Sequence, residues 1–192
     1  MLLTSILVCV ALLAILIAVP AYIAYATHNR LVALDQRCET AFGDIDAHLK
    51  HRHNLIPPLV ETVRGFAKHE NDILLGVTQA RASALQATSP EMRLSAEQNL
   101  TQNINALIGM AEHFPELKAS SHFSELRREL VDAENRVTAS RRFYNLAVEE
   151  YGTTLRQFPG SYVGRLFNMN VRTRFDLGIE RVLIDEPLAV KF

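Results

Sequence analysis

From Leu2 to Ala26 the chain carries no charged side chain, and from about residue 30 to Phe158 apolar positions recur every three or four residues. That recurrence is the period of helices with one buried face. It is interrupted at Pro57-Pro58, Ser89-Pro90, Phe114-Pro115 and Phe158-Pro159-Gly160, which divide it into four long segments. The first, Leu31 to Asn54, aligns Leu34, Cys38, Phe42, Ile45 and Leu49. The second, Pro58 to Gln86, aligns Leu59, Val63, Phe66, Ile73, Val77, Ala80 and Ala84. The third opens with Ser89 as N-cap and Pro90 at the first helical position, then aligns Ala96, Leu100, Leu107, Met110 and Phe114. The fourth aligns Leu126, Leu130, Ala133, Val137, Ser140, Tyr144, Ala147, Tyr151 and Leu155. Four such segments joined by short breaks predict an all-α fold, an antiparallel up-down four-helix bundle. Pro57-Pro58 either reverses the chain or bends one longer helix.

As a helix, the uncharged run from Leu2 to Ala26 would be about 37 Å long, enough to cross a hydrocarbon core of about 30 Å. A cleaved signal peptide needs a basic leading region and a shorter apolar stretch. Here no basic residue precedes the run, although Ala24-Tyr25-Ala26 imitates a cleavage site, so a retained anchor is expected. Tyr22 and Tyr25 suit the interface. Arg30, Arg37, Lys50 and Arg52 all follow the run, which predicts a short N-terminus outside a bacterial inner membrane and a cytoplasmic bundle. The expected organisation is an anchor over 1–28, a bundle over 29–160 and a basic, aromatic segment with a tail over 161–192.

Composition narrows the function. Twenty Lys and Arg against twenty-one Asp and Glu give no basic field to attract nucleic acid. Cys9 and Cys38 lie in an apolar run and a polar helix, so no disulfide framework is expected. No Gly-x-Ser-x-Gly elbow, Walker loop, dinucleotide glycine pattern or His-Glu-x-x-His motif occurs.

Three ordered blocks carry a resemblance. Ala41-Phe42-Gly43-Asp44-Ile45-Asp46-Ala47-His48-Leu49-Lys50-His51-Arg52-His53-Asn54-Leu55-Ile56-Pro57-Pro58-Leu59-Val60-Glu61-Thr62-Val63 resembles the signature stretch of the LemA family. Phe114-Pro115-Glu116-Leu117-Lys118-Ala119 with His122-Phe123 agrees, as does Glu134-Asn135-Arg136-Val137 with Arg141-Arg142-Phe143-Tyr144-Asn145 and then Phe158-Pro159. The resemblance implies a single-span bacterial membrane protein with a small outward N-terminus and an antiparallel four-helix bundle. It assigns no catalytic residue. The chain departs from the family pattern at Pro58, where Asn is more frequent, and at His48 and His51, where polar or basic residues are usual.

Two sets of polar residues are candidates for function. Asp46, Arg52, Glu61, Glu70, Asn103, Glu134, Arg141 and Asn145 border or interrupt the apolar stripes. They form either an interhelical network that fixes register or a recognition patch, with Arg52 or Arg141 as partner to a half-buried carboxylate. Glu70 continues the step from Phe66 to Ile73, and Asn103 the step from Leu100 to Leu107. His48 and His51, three apart on one helix, offer a metal- or ligand-binding or enzymatic alternative with Glu70, next to His69. Lone helical histidines are more commonly solvated, and no cofactor is expected.

Helix parity adds a further expectation. If four helices alternate in direction from an anchor ending at residue 26, the fourth returns to the bilayer. There, residues 151–175 contain no acidic residue but carry Arg156, Arg165, Arg172 and Arg174 among Phe158, Tyr162, Leu166, Phe167 and Phe175. That segment is expected either to touch lipid or to cap the open end of the bundle. Together these features favour a non-enzymatic interaction or scaffolding protein, bound to the bilayer through residues 2–26 and to envelope proteins through its bundle.

Overall fold

The computed structural model describes residues 2–67 and 70–175, and these are mostly helical with no strand among them. The elements are α1 (Leu2–Arg64), α2 (Asn71–Gln86), α3 (Pro90–Ala111), α4 (Pro115–Lys118), α5 (Ser121–Arg156) and α6 (Gly160–Leu166). Two compact units are present. One comprises the chain up to Asp44 with Ser140–Phe175, and the other contains Ile45–Ala139.

Helix α1 is a single 63-residue element, so Pro57-Pro58 neither reverses nor ends it. Pro57 has no N–H, which deprives the carbonyl of His53 of its intrahelical donor. Arg81 of α2 fills that place, donating from Nε to the His53 carbonyl at 2.8 Å. The helix ends instead at Gly65-Phe66, where the Ala67 N–H reaches back to the Val63 carbonyl at 2.9 Å. The second segment therefore splits: Leu59 and Val63 are buried on α1, whereas Phe66 is exposed in the turn. The break between the long helices therefore falls after Arg64, several residues beyond the prolines.

The N-terminal part of α1 is long and apolar enough to cross a membrane, with mean hydropathy 2.9 over its most apolar window and none of that window buried. Further along, buried positions 31, 34, 38, 41, 45, 49, 52, 56, 59 and 63 step by three or four. Ser89 accepts a hydrogen bond from the Met92 N–H at 3.1 Å and Pro90 opens α3, the cap read from the sequence. Every member of the α5 stripe from Leu126 to Leu155 is buried, with Phe123 extending it.

In the unit Ile45–Ala139, one apolar cluster joins Ile56, Leu59 and Val63 of α1 with Val77 of α2, Leu100 and Leu107 of α3, Leu117 of α4 and Leu130 of α5. Helices α2 and α3 pack closely at Gly76, where a Cβ would lie 2.8 Å from Asn103 Oδ1.

In the other unit, Leu31, Leu34, Cys38 and Ala41 share the interior with Tyr144, Ala147, Tyr151 and Leu155. Helix α6 lies against the end of α5 through glycines: a Cβ on Gly160 would stand 2.0 Å from the Thr154 carbonyl oxygen. After α6 the chain turns at Asn168, whose φ of 52° Asn tolerates better than most residues. The Met169 N–H closes this turn on the Gly164 carbonyl at 2.9 Å, the bond of a Schellman cap. Residues 169–175 then form an extended strap.

Candidate functional site

Arg52 occupies a core position of α1, between Leu49 and Ile56 in the three-four stepping, and Glu97 precedes Leu100 in the same way on α3. The two side chains are 1% and 2% exposed and are bonded to each other. Arg52 also pairs with Glu134 of α5 and donates to Thr101 Oγ1 at 3.1 Å. Its Nε has no partner. His53, the next residue on α1, brings Nε2 to 3.0 Å from the second oxygen of Glu97. One carboxylate is thus held by two consecutive residues of another helix, and one guanidinium joins α1, α3 and α5.

Burial alone would raise the pKa of Glu97, but the His53 ring beside it and the charge of Arg52 outweigh it, so the carboxyl titrates below its ordinary value. The cluster holds its charges by mutual pairing, the condition for keeping them buried. Its bonding capacity goes into joining helices.

The second arrangement anchors the strap. Arg172 places Nε and Nη2 at 2.6 and 3.1 Å from the two carboxylate oxygens of Asp35 and donates from Nη1 to Glu39 at 2.8 Å. These hydrogen bonds hold the guanidinium protonated more firmly than usual. Asn145 satisfies both main-chain groups of Phe175, accepting from its N–H at 2.8 Å and donating to its carbonyl at 3.1 Å. The Arg141 guanidinium stacks over the Phe175 ring at 5.1 Å. Tyr144 donates to the Thr173 carbonyl at 2.9 Å, and burial pushes its phenol pKa up. Burial does the same for the Cys38 thiol, which stays a neutral core member. Between the strap and α5 lies a cleft of about 430 Å³ lined in part by Thr153, Arg156, Arg172 and Arg174.

The eight residues expected to form one network therefore separate. Arg52 and Glu134 meet in one unit; Arg141 and Asn145 hold Phe175 in the other. Asp46 accepts from Arg93 at 2.6 Å on the surface, and Glu61 pairs with Arg64 at 2.7 Å within one turn of α1. Asn103 bonds back to the Asn99 carbonyl at 2.8 Å. Glu70 is exposed at the N-cap position of α2, and because α1 ends at Arg64 with a turn at Gly65-Phe66, the stripe does not run on through it.

The three members of the metal alternative stand apart on α1 and α2. His48 lies 16 residues before Arg64 on α1, about 24 Å along the axis, so His48 and His51 do not converge with Glu70. No group of three His, Cys, Asp or Glu suited to a metal exists among the described residues. His69 and the tail from Gly178 lie outside the described residues.

Two of the four arginines expected at lipid are committed elsewhere: Arg172 to Asp35 and Glu39, and Arg174 to Glu149 at 3.3 Å. Arg156 and Arg165 are exposed, with no ion pair among the described residues. Phe158, Tyr162, Leu166 and Phe167 do not close the end of the apolar interior; they face outward, and Gly160, Val163 and Gly164 are the buried members of α6.

Glu97 and His53 were not among the candidates. The signal for Glu97 was its position: 97, 100, 104, 107 and 111 step by three and four, placing a carboxylate on the buried row. His53 adjoins the buried row of α1 and is itself buried, with Glu97 beside it.

The family model that matches this chain is the LemA family, over residues 41–192. Among curated proteins, the chain is similar to Protein LemA of Metamycoplasma hominis, with 25% identity over 162 residues, covering 82% of this chain and 73% of that protein.

Proposed function

Because the chain belongs to the LemA family, we propose that it is a non-enzymatic interaction protein, tethered to a bacterial inner membrane by the start of α1 and presenting an antiparallel helical bundle to protein partners. The observation that carries this reading is the use made of the buried polar groups. Arg52, Glu97, His53 and Glu134 are spent on each other, and Asn145 and Tyr144 on the strap. Catalysis needs titratable groups converging on an accessible pocket, whereas these are arranged to hold helices in register. Single exposed apolar side chains, including Leu75 and Leu85 on α2 and Val131 on α5, give positions at which a partner's approach can be probed without disturbing the core.

The span is supported by the length and hydropathy of α1. A cytoplasmic bundle is supported by Arg30, Arg37, Lys50 and Arg52, all after the uncharged run.

Photo-crosslinkers placed singly at Leu75, Leu85, Val131 and Leu146 of the full chain in native membranes test the reading. The expected result is a discrete protein adduct at a subset of positions, on material that resists carbonate extraction and is cut by protease only from the cytoplasmic side. Extraction by carbonate, or the absence of adducts at all four positions, would overturn it.

A further inference from the structure

The outward side of α6 is apolar and lies where the uncharged run of α1 ends. Phe158, Tyr162, Leu166 and Phe167 are 80%, 71%, 75% and 51% exposed. Phe158 and Tyr162 stack edge to face with ring centroids 6.0 Å apart, so they form one surface. Phe167 packs on His28, centroid to centroid at 4.1 Å. His28 is two residues past Ala26, about 3 Å along the helix. The patch is therefore fixed beside the last uncharged turn of α1.

Its surroundings suit one occupant. Arg156 and Arg165 flank it without acidic partners among the described residues, and residues 151–175 contain no Asp or Glu. Exposed rings beside exposed arginines match a bilayer's interfacial zone, where aromatic side chains lodge among headgroups and cations face anionic lipid. The glycines of α6 bring it close to α5, and the strap holds it in place through Arg172, Asn145 and Tyr144.

We propose that α6 and the residues bounding it, Phe158 to Phe167, are a second membrane contact that lies in the headgroup region beside the span. The proposal rests on the reading of α1 as a span. The continuous helix α1 fixes the azimuth of the helical unit about the span but not the side toward which the whole tilts, whereas a second contact fixes which of its faces meets the bilayer.

The chain has no Trp, so one introduced indole reports on one position. Full-length protein carrying Leu166→Trp, Ile15→Trp or Leu146→Trp is reconstituted into vesicles of phosphatidylcholine and phosphatidylglycerol, with bromine placed either shallow or deep in the acyl chains. All three residues are exposed, so no core packing is disturbed. Leu146 lies close to Tyr144, whose ring meets Phe42, about 20 Å farther along α1 than His28. With the indole some 5–10 Å below the surface, Leu166→Trp is expected to lose roughly half its emission to shallow bromine and less to deep bromine. Ile15→Trp should show the reverse order and Leu146→Trp no loss. Quenching of Ile15→Trp with none of Leu166→Trp overturns the second contact and leaves the span standing. Absence of quenching at Ile15→Trp removes both. A blue-shifted but unquenched Leu166→Trp means that protein, including a second copy of this chain, covers the patch, which also overturns the proposal.

Discussion

Arg81 donates from Nε to the main-chain carbonyl of His53 at 2.8 Å, the carbonyl that Pro57 leaves without a helical donor. A side chain of α2 thus mends the ladder of α1. Arg81→Met should destabilise the protein by about 1–3 kcal/mol, the cost of an unsatisfied buried acceptor. Pro57→Ala restores the N–H within the helix, so in that background Arg81→Met should cost less. Urea unfolding of the four proteins in detergent, followed by circular dichroism, measures the coupling. Equal costs in both backgrounds would show that Arg81 acts through other contacts.

Arg52→Met removes the cation shared by Glu97 and Glu134. It leaves Glu97 buried with only His53 beside it, and a loss of about 3–5 kcal/mol is expected. Glu97→Gln keeps the shape and removes the charge, so its cost should be smaller. Thermal unfolding of both variants gives the comparison.

The same carboxylate predicts a pH dependence. Its folded pKa is below its unfolded value of about 4.3, so its contribution is present above that value and is lost as the pH falls through the folded pKa. The stability gap between the wild type and Glu97→Gln should therefore be full near neutrality and narrow below about pH 4. A gap that widens on acidification would contradict the assignment.

Asn145→Ala removes both bonds to the main chain of Phe175. Hydrogen exchange should quicken at residues 173–175 and remain unchanged in α2 and α3, since the strap and those helices belong to different compact units.

Two glycines should respond oppositely to alanine. At Gly160 a Cβ would collide with the Thr154 carbonyl oxygen, so Gly160→Ala must displace α6 and is expected to cost about 1–3 kcal/mol. At Gly43, on an open face of α1, a Cβ meets nothing within 4 Å, and Gly43→Ala should stabilise by about 0.5–1 kcal/mol. Melting temperatures of the two variants decide both signs.

Much of the fold was legible because spacing dictates burial on helices. The row from Leu126 to Leu155 was read residue for residue, and Ser89-Pro90 marked a helix start through its own chemistry. The break after Arg64 is not legible at Pro57-Pro58, because proline reports only the loss of a local donor. Whether another side chain replaces that donor depends on Arg81, 28 residues away in sequence. Glu97 is not legible from apolar positions alone, because it is a carboxylate in core register. The strap residues were recognised as basic and aromatic, but which arginines would meet Asp35, Glu39 and Glu149 depends on tertiary packing.

Between Ala26 and Leu31, α1 contains no residue outside the helix and no proline or glycine. The protein therefore has no swivel at the point where it leaves the apolar run. A twist applied to the first 26 residues passes as torque into Leu31, Leu34 and Cys38, and azimuth on one side fixes azimuth on the other.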